Sequence, residues 1–134
     1  MTTYLVDNSI WHKASTSRAI SQRLRDISSH HLIITCPPQV LEYCHSARSP
    51  EEYAELRQDM DALLAAWEHP DESAALGIQQ ALWHTGLVRA AAAFDCLIAA
   101  YALANDAVVL NSDHDFRYIE YATRGAVRQE YVPG

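Results

Sequence analysis

The sequence predicts an α/β fold in three layers, α/β/α, around a central, mostly parallel sheet of four or five strands. Two observations carry this reading. Short apolar runs of strand length alternate with helical periodicities along the whole chain, the pattern of a parallel sheet covered on both faces. Asp7, Glu42, Asp95 and Asp113 stand within or at the ends of apolar segments, where an ionised carboxylate is costly. In open parallel sheets, ligands bind beyond the carboxyl ends of the strands, and Asp7 and Asp113 both follow strand-like runs.

Thr3 to Asp7 reads as a first buried strand built on Tyr4-Leu5-Val6. Ser17 to Ser28 carries Ile20, Leu24 and Ile27 at helical spacing, with Ser17 as N-cap. Leu32 to Thr35 is a second strand, stopped by Pro37-Pro38. Those prolines suit the first turn of a helix from Pro38 to about Ala47, which holds Glu42. Ser49-Pro50-Glu51-Glu52 supplies a cap, a first-turn proline and first-turn acids for another helix. That helix is expected to run to about Trp67, with Leu56, Met60, Leu63 and Leu64 on one face. His69-Pro70-Asp71 is a turn, with room for a short strand or bridge before it. Asp71 or Ser73 caps the next helix, which ends near Gly86. Ala90 to Asn105 is an alanine-rich helix with Asp95 in its early part. Ala107 to Leu110 is a strand, Asp113 to Tyr121 a loop and short helix, and Gln129 to Val132 a last strand. The 134 residues are expected to form a single domain.

A hydrophobic fraction of 49% is ordinary for a soluble globular protein. The longest apolar run, Cys96 to Ala104, is far short of the ~20 residues of a membrane span, and no signal peptide is legible, so a cytoplasmic protein with no membrane contact is expected. Cys36, Cys44 and Cys96 include no CxxC and lie in apolar surroundings, so they read as small core residues. The net charge of −7 argues against nucleic-acid binding. Against that stand nine arginines and a single lysine, Lys13, and arginine is the better bidentate partner of phosphate.

Gathering several carboxylates raises their pKa values and destabilises the fold. A divalent cation supplies the missing counter-charge, and all-oxygen donors favour Mg²⁺ or Mn²⁺ over zinc. Taken singly, each acid also has a bland reading: Asp7 as a turn residue, Glu42 as an exposed helix acid, Asp113 and Asp115 as helix caps.

Four stretches together resemble the PIN-domain nucleases. Tyr4-Leu5-Val6-Asp7-Asn8-Ser9-Ile10-Trp11 is similar to the family's opening strand, and Val40-Leu41-Glu42 to the helix with its second acid. Phe94-Asp95-Cys96-Leu97-Ile98-Ala99-Ala100-Tyr101-Ala102-Leu103 resembles its "D-x-x-I-A-A-x-A" helix. Val109-Leu110-Asn111-Ser112-Asp113-His114-Asp115-Phe116 resembles its "T-x-D-x-D-F" ending. The likeness spans nearly the whole chain in the expected order, and length and form resemble the VapC toxins of toxin–antitoxin pairs. Two departures stand out: Asn111 where threonine or histidine is common, and Arg89 to Ala93 without the small residue-Pro-Asp lead.

The resemblance implies metal-dependent RNA cleavage, a homodimer and a cognate antitoxin. It implies that Asp7, Asp95 and Asp113 hold Mg²⁺ or Mn²⁺, with Glu42 as a direct or water-mediated ligand. Asp115 would be an outer partner or an alternate ligand, and Ser9 would orient Asp7 or touch a phosphate. Lys13 and Arg89 lie nearest these acids in sequence and are the phosphate-contact candidates.

The histidines show no zinc-finger spacing; His12 and His114 flank two of the acids and read as solvated surface residues, with a place near the substrate as the alternative. Met60, Leu64, Trp67 and Trp83 read as core or partner interface, and Arg18, Arg23 and Arg25 as a solvated helix face, with guiding RNA or pairing with an acidic partner tail as the alternatives. Two other Mg²⁺-dependent classes fit less well. A phosphotransfer receiver needs a lysine on a late strand, and a dehalogenase-like phosphatase needs Asp-x-Asp, where this chain has Ser9. A PIN nuclease without an antitoxin and an inactive binding module are the remaining alternatives.

Overall fold

The computed structural model describes residues 1–134. Five parallel strands, β1 (Thr3–Val6), β2 (Leu32–Thr35), β3 (Leu64–Ala65), β4 (Ala107–Asn111) and β5 (Arg128–Tyr131), lie in the order β3-β2-β1-β4-β5. Seven helices connect and flank them: α1 (Asn8–Trp11), α2 (Arg18–His30), α3 (Pro37–His45), α4 (Pro50–Asp61), α5 (Glu72–His84), α6 (Ala93–Ala104) and α7 (Asp115–Ala122). None is long and apolar enough to cross a membrane.

Strand alternation assigns each face of the sheet its own core. Leu5, Ile34 and Val109 point into the larger cluster with Ile98, Phe116 and Leu82, beneath α5, α6 and α7. Tyr4, Val6 and Leu110 point the other way, onto Ile10, Ile20 and Ile27 of α1 and α2. Burial on both faces is why the central strands are continuous runs of apolar residues. The chain builds outward from β1 through β2 to β3, then returns to place β4 on the other side of β1, in the register Thr3↔Ala107 to Val6↔Leu110. The switch point therefore falls between β1 and β4, and their carboxyl ends open into a crevice.

Two elements differ from the sequence-based expectation. The helix opened by Ser49 stops at Asp61 instead of continuing to Trp67. Leu64 and Ala65 pair with Ile34 and Thr35 instead, because the backbone partners offered by the free edge of β2 override the high helix propensity of Ala62-Leu63-Leu64-Ala65. This is the short strand allowed for ahead of His69. The grouping of Met60 with Leu64, Trp67 and Trp83 divides accordingly between core and surface. Met60 is buried, while the other three are exposed.

The second difference is the start of α6, at Ala93 and not Ala90. Arg89 adopts a left-handed conformation (φ 60°) that no α-helix admits. The later start makes Asp95 the third residue of the helix, and its carboxylate accepts the Ala92 backbone N–H at 3.4 Å. Ala92 has no side-chain acceptor, so only this half of a capping box operates. All three cysteines are free and buried, as their apolar surroundings indicated.

Candidate active site

The residues following β1 form the first wall of the crevice. Asp7 is 5% exposed and caps the single turn of α1, accepting the Ser9 backbone N–H at 3.1 Å and the Ser9 hydroxyl at 2.7 Å, both on Oδ2. Ser9 Oγ in turn accepts the Ser112 backbone N–H at 2.9 Å. The loops after β1 and β4 are thereby joined through one hydroxyl. Lys13 Nζ adds a second tie, donating to the Ser112 carbonyl at 3.0 Å and to its hydroxyl at 3.2 Å.

Asp113 and Asp115 follow β4. The Asp115 backbone N–H donates to Asp113 Oδ1 at 2.7 Å, fixing the turn that starts α7. Asp95, entering from the first turn of α6, completes the group: one carboxylate oxygen from each of Asp95, Asp113 and Asp115 lies within 4.8 Å of the others. Asp7, Glu42, Asp95 and Asp113 all line one cleft of about 590 Å³, together with Asn8, Ser9, His12 and His45.

The electrostatics record the crowding. Asp95 is pushed up to about 7, first by burial and then by Asp7 and Asp113. Burial also raises Asp7, opposed by the Ser9 hydrogen bonds and reinforced by Asp113. Glu42 is raised by burial and by Asp7, although Asn8 and His12 pull it back. Burial and Asp113 raise Asp115. None of these acids belongs to an ion pair. Clustered acids without a protein cation, offering only oxygen, are the donor set of a hard divalent ion.

Not every candidate residue lies in this cleft. Arg89 is exposed and outside it, on the turn ahead of α6. Lys13 spends its ammonium on Ser112. Arg23, expected on a solvated face, is tied to Glu130 at 2.7 Å and to Asp26 at 2.8 Å. Two cleft residues escaped the sequence reading. His45 lies three residues after Glu42, a spacing that shares a helix face, and Asn8 directly follows Asp7. Asn8 exchanges hydrogen bonds with buried Gln39, donating to its carbonyl at 2.9 Å and accepting from its amide at 3.0 Å, which holds α1 against α3.

Ser9→Ala tests the junction of the two loops. It strands the buried Ser112 N–H, which costs about 1–3 kcal/mol, and leaves Asp7 Oδ2 with only the backbone N–H of residue 9 of its two donors. A urea melt should register the lost stability, and a Mn²⁺ titration should show affinity weakened by roughly 10–100-fold.

Comparison with known proteins points in the same direction. The PIN domain family model matches residues 4–120. The chain is 33% identical over 135 residues to the ribonuclease VapC21 of Mycobacterium tuberculosis, covering 99% of this chain and 97% of that protein. Ribonuclease VapC6 of the same organism is 27% identical over 114 residues, 80% of this chain and 86% of its own. In fold, the chain superposes on VapBC2 from Rickettsia felis, solved bound to a promoter DNA fragment, with a TM-score of 0.75, 14% identity and coverage of 98% and 99%. The DNA-bound VapBC from Salmonella typhimurium gives a TM-score of 0.73 at 16% identity, with 98% of each chain covered. A match that runs from β1 into α7, over a span holding all four acids of the cleft, makes this chain a member of the PIN-domain family.

Proposed function

We propose that the protein is a metal-dependent endoribonuclease and the toxin of a VapBC-type toxin–antitoxin pair, acting in the cytoplasm. The observation that carries the reading is the convergence of Asp95, Asp113 and Asp115 within 4.8 Å of one another, in a cleft shared with Asp7 and Glu42. The likeness to the VapC ribonucleases supports the RNA substrate and the antitoxin partner.

In this reading Asp7, Asp95 and Asp113 hold Mg²⁺ or Mn²⁺, Glu42 reaches it directly or through water, and Asp115 joins as a further ligand or its support. A bound cation would polarise the scissile phosphodiester and acidify a water for in-line attack. The protein's own groups do the rest. Ser9 fixes one oxygen of Asp7 by two hydrogen bonds, leaving the other free. The Ala92 N–H and the start of α6 orient Asp95. Lys13 and Ser9 keep the Asp113 loop at its distance from the Asp7 loop. Preorganised in this way, the carboxylates need no rearrangement as charge develops. The exposed side chains of Leu76, Trp83 and Phe94 on α5 and α6 supply an apolar surface for the homodimer.

The test is cleavage of RNA by the purified, antitoxin-free protein. Products should appear with Mg²⁺ or Mn²⁺ and vanish with EDTA. Expression should arrest growth, and co-expression of the protein encoded beside it should restore growth. Cutting that persists in EDTA would overturn the metal assignment.

A further inference from the structure

We propose that His114, Tyr131 and Arg117 form an RNA-holding subsite beside the acids, in which a base next to the scissile bond stacks on His114 and a phosphate meets Arg117. The proposal rests on the ribonuclease reading and specifies how the substrate is held.

The three side chains form a stack. The His114 and Tyr131 rings lie parallel within 19°, with centroids 4.5 Å apart. The Arg117 guanidinium carbon sits 5.8 Å from the centroid of the same tyrosine. Sequence position places the stack next to the chemistry. His114 lies between Asp113 and Asp115, two of the three clustered carboxylates. Tyr131 ends β5 and pairs with Asn111, the last residue of β4, so it stands at the same carboxyl edge of the sheet. His114 and Arg117 are exposed, and Tyr131 is half-buried.

This arrangement has no evident structural duty. Arg117 takes part in no ion pair, and its guanidinium rests on the Tyr131 ring. The core side chain of α7 is Phe116, fully buried between the exposed His114 and Arg117. An exposed imidazole with one face on tyrosine offers its other face to a flat ligand. Single-stranded RNA is bound by such aromatic platforms together with cationic side chains.

The placement of cleft and stack suggests a path for the strand. The cleft extends from the acids toward Glu42, His45 and His12, on the β2 side of β1. The stack lies on the opposite side, toward β5. A strand crossing the sheet's carboxyl edge passes over the acids with one flank in the cleft and the other on His114. Arg117 then supplies the positive charge that the acidic cleft lacks.

The test uses exposed positions, so folding is preserved. In an Asp95→Asn background that cannot cut, binding of fluorescein-labelled oligoadenylate is followed by anisotropy in Mg²⁺. His114→Ala and Arg117→Gln should each weaken binding by about tenfold, and His114→Phe should restore it. In the cutting protein, the first two should raise KM by a similar factor and leave kcat nearly unchanged. Unaltered binding and KM in both variants would overturn the subsite, as would a fall in kcat alone, which would mark His114 as acting through Asp113. If the parent cuts no RNA, the ribonuclease reading fails, while the binding series still decides the subsite.

Discussion

Asp95→Asn is expected to abolish RNA cleavage while making the metal-free protein more stable at pH 8. Both effects come from the same crowding. Asp95 is raised to about 7 by burial, Asp7 and Asp113, whereas in the unfolded chain it titrates as an ordinary carboxylate. The folded protein therefore binds more protons than the unfolded chain between about pH 4 and 7. Its stabilising contribution is complete below the ordinary carboxylate range and is lost as pH rises through 7. A neutral amide at this position carries no such liability. Chemical denaturation across this range should show the parent losing stability relative to the variant by on the order of 2 kcal/mol, after discounting for solvent on the open side of the cleft. Activity at pH 8 should fall by at least about a hundredfold. A variant that cuts normally would remove Asp95 from the chemistry, and one that cuts poorly because it unfolds would show the opposite stability shift.

Divalent cations should produce the second large effect, a strong thermal stabilisation of the parent. A ligand held only by the folded state stabilises by about 2.7 kcal/mol at a hundredfold excess over Kd, roughly 10 °C in Tm for a domain of this size. The raised carboxylates make the shift pH-dependent. At pH 5 Asp95 is mostly protonated and competes with the cation, so the same concentration of Mn²⁺ should stabilise less than at pH 8. Asp113→Asn should lose most of the response. Scanning calorimetry with and without EDTA reads these outcomes directly. A Tm insensitive to Mg²⁺ and Mn²⁺ at pH 8 would contradict the metal centre whatever the RNA assays gave.

Much of this architecture was legible because local signals agreed with the final fold. Tyr4-Leu5-Val6 and Ala107-Val108-Val109-Leu110 carry the continuous apolar character of strands buried on both sides. Ser17, Ser49 and Asp71 all act as the helix caps their positions suggested. The four acids share a cleft because their elements all reach the carboxyl edge of the sheet. What escaped the sequence depends on contacts between distant segments. The end of α4 is decided by the open edge of β2, far earlier in the chain, through the register of Ile34 with Leu64. Arg89 sets the start of α6 through a left-handed conformation that an arginine does not advertise. The place of Asp115 within the tight carboxylate group follows from its N–H bond to Asp113, a turn geometry that two nearby aspartates alone do not specify. Tyr131 stacks on His114 only because β5 pairs beside β4.

The link from the Ser112 N–H to Ser9 Oγ spans 103 residues of chain, and this separation bears on when the protein becomes dangerous. Parallel β1–β4 pairing brings Asp7 beside Asp113, and such long-range pairings form slowly because the entropy of closing a long loop must be overcome first. During translation the residues of β1 leave the ribosome long before those of β4. A nascent chain carrying Asp7 and Glu42 alone has half a site, with nothing to bring the remaining carboxylates to it. On the proposed site assignment, nuclease capability is thereby withheld until nearly the whole chain has emerged.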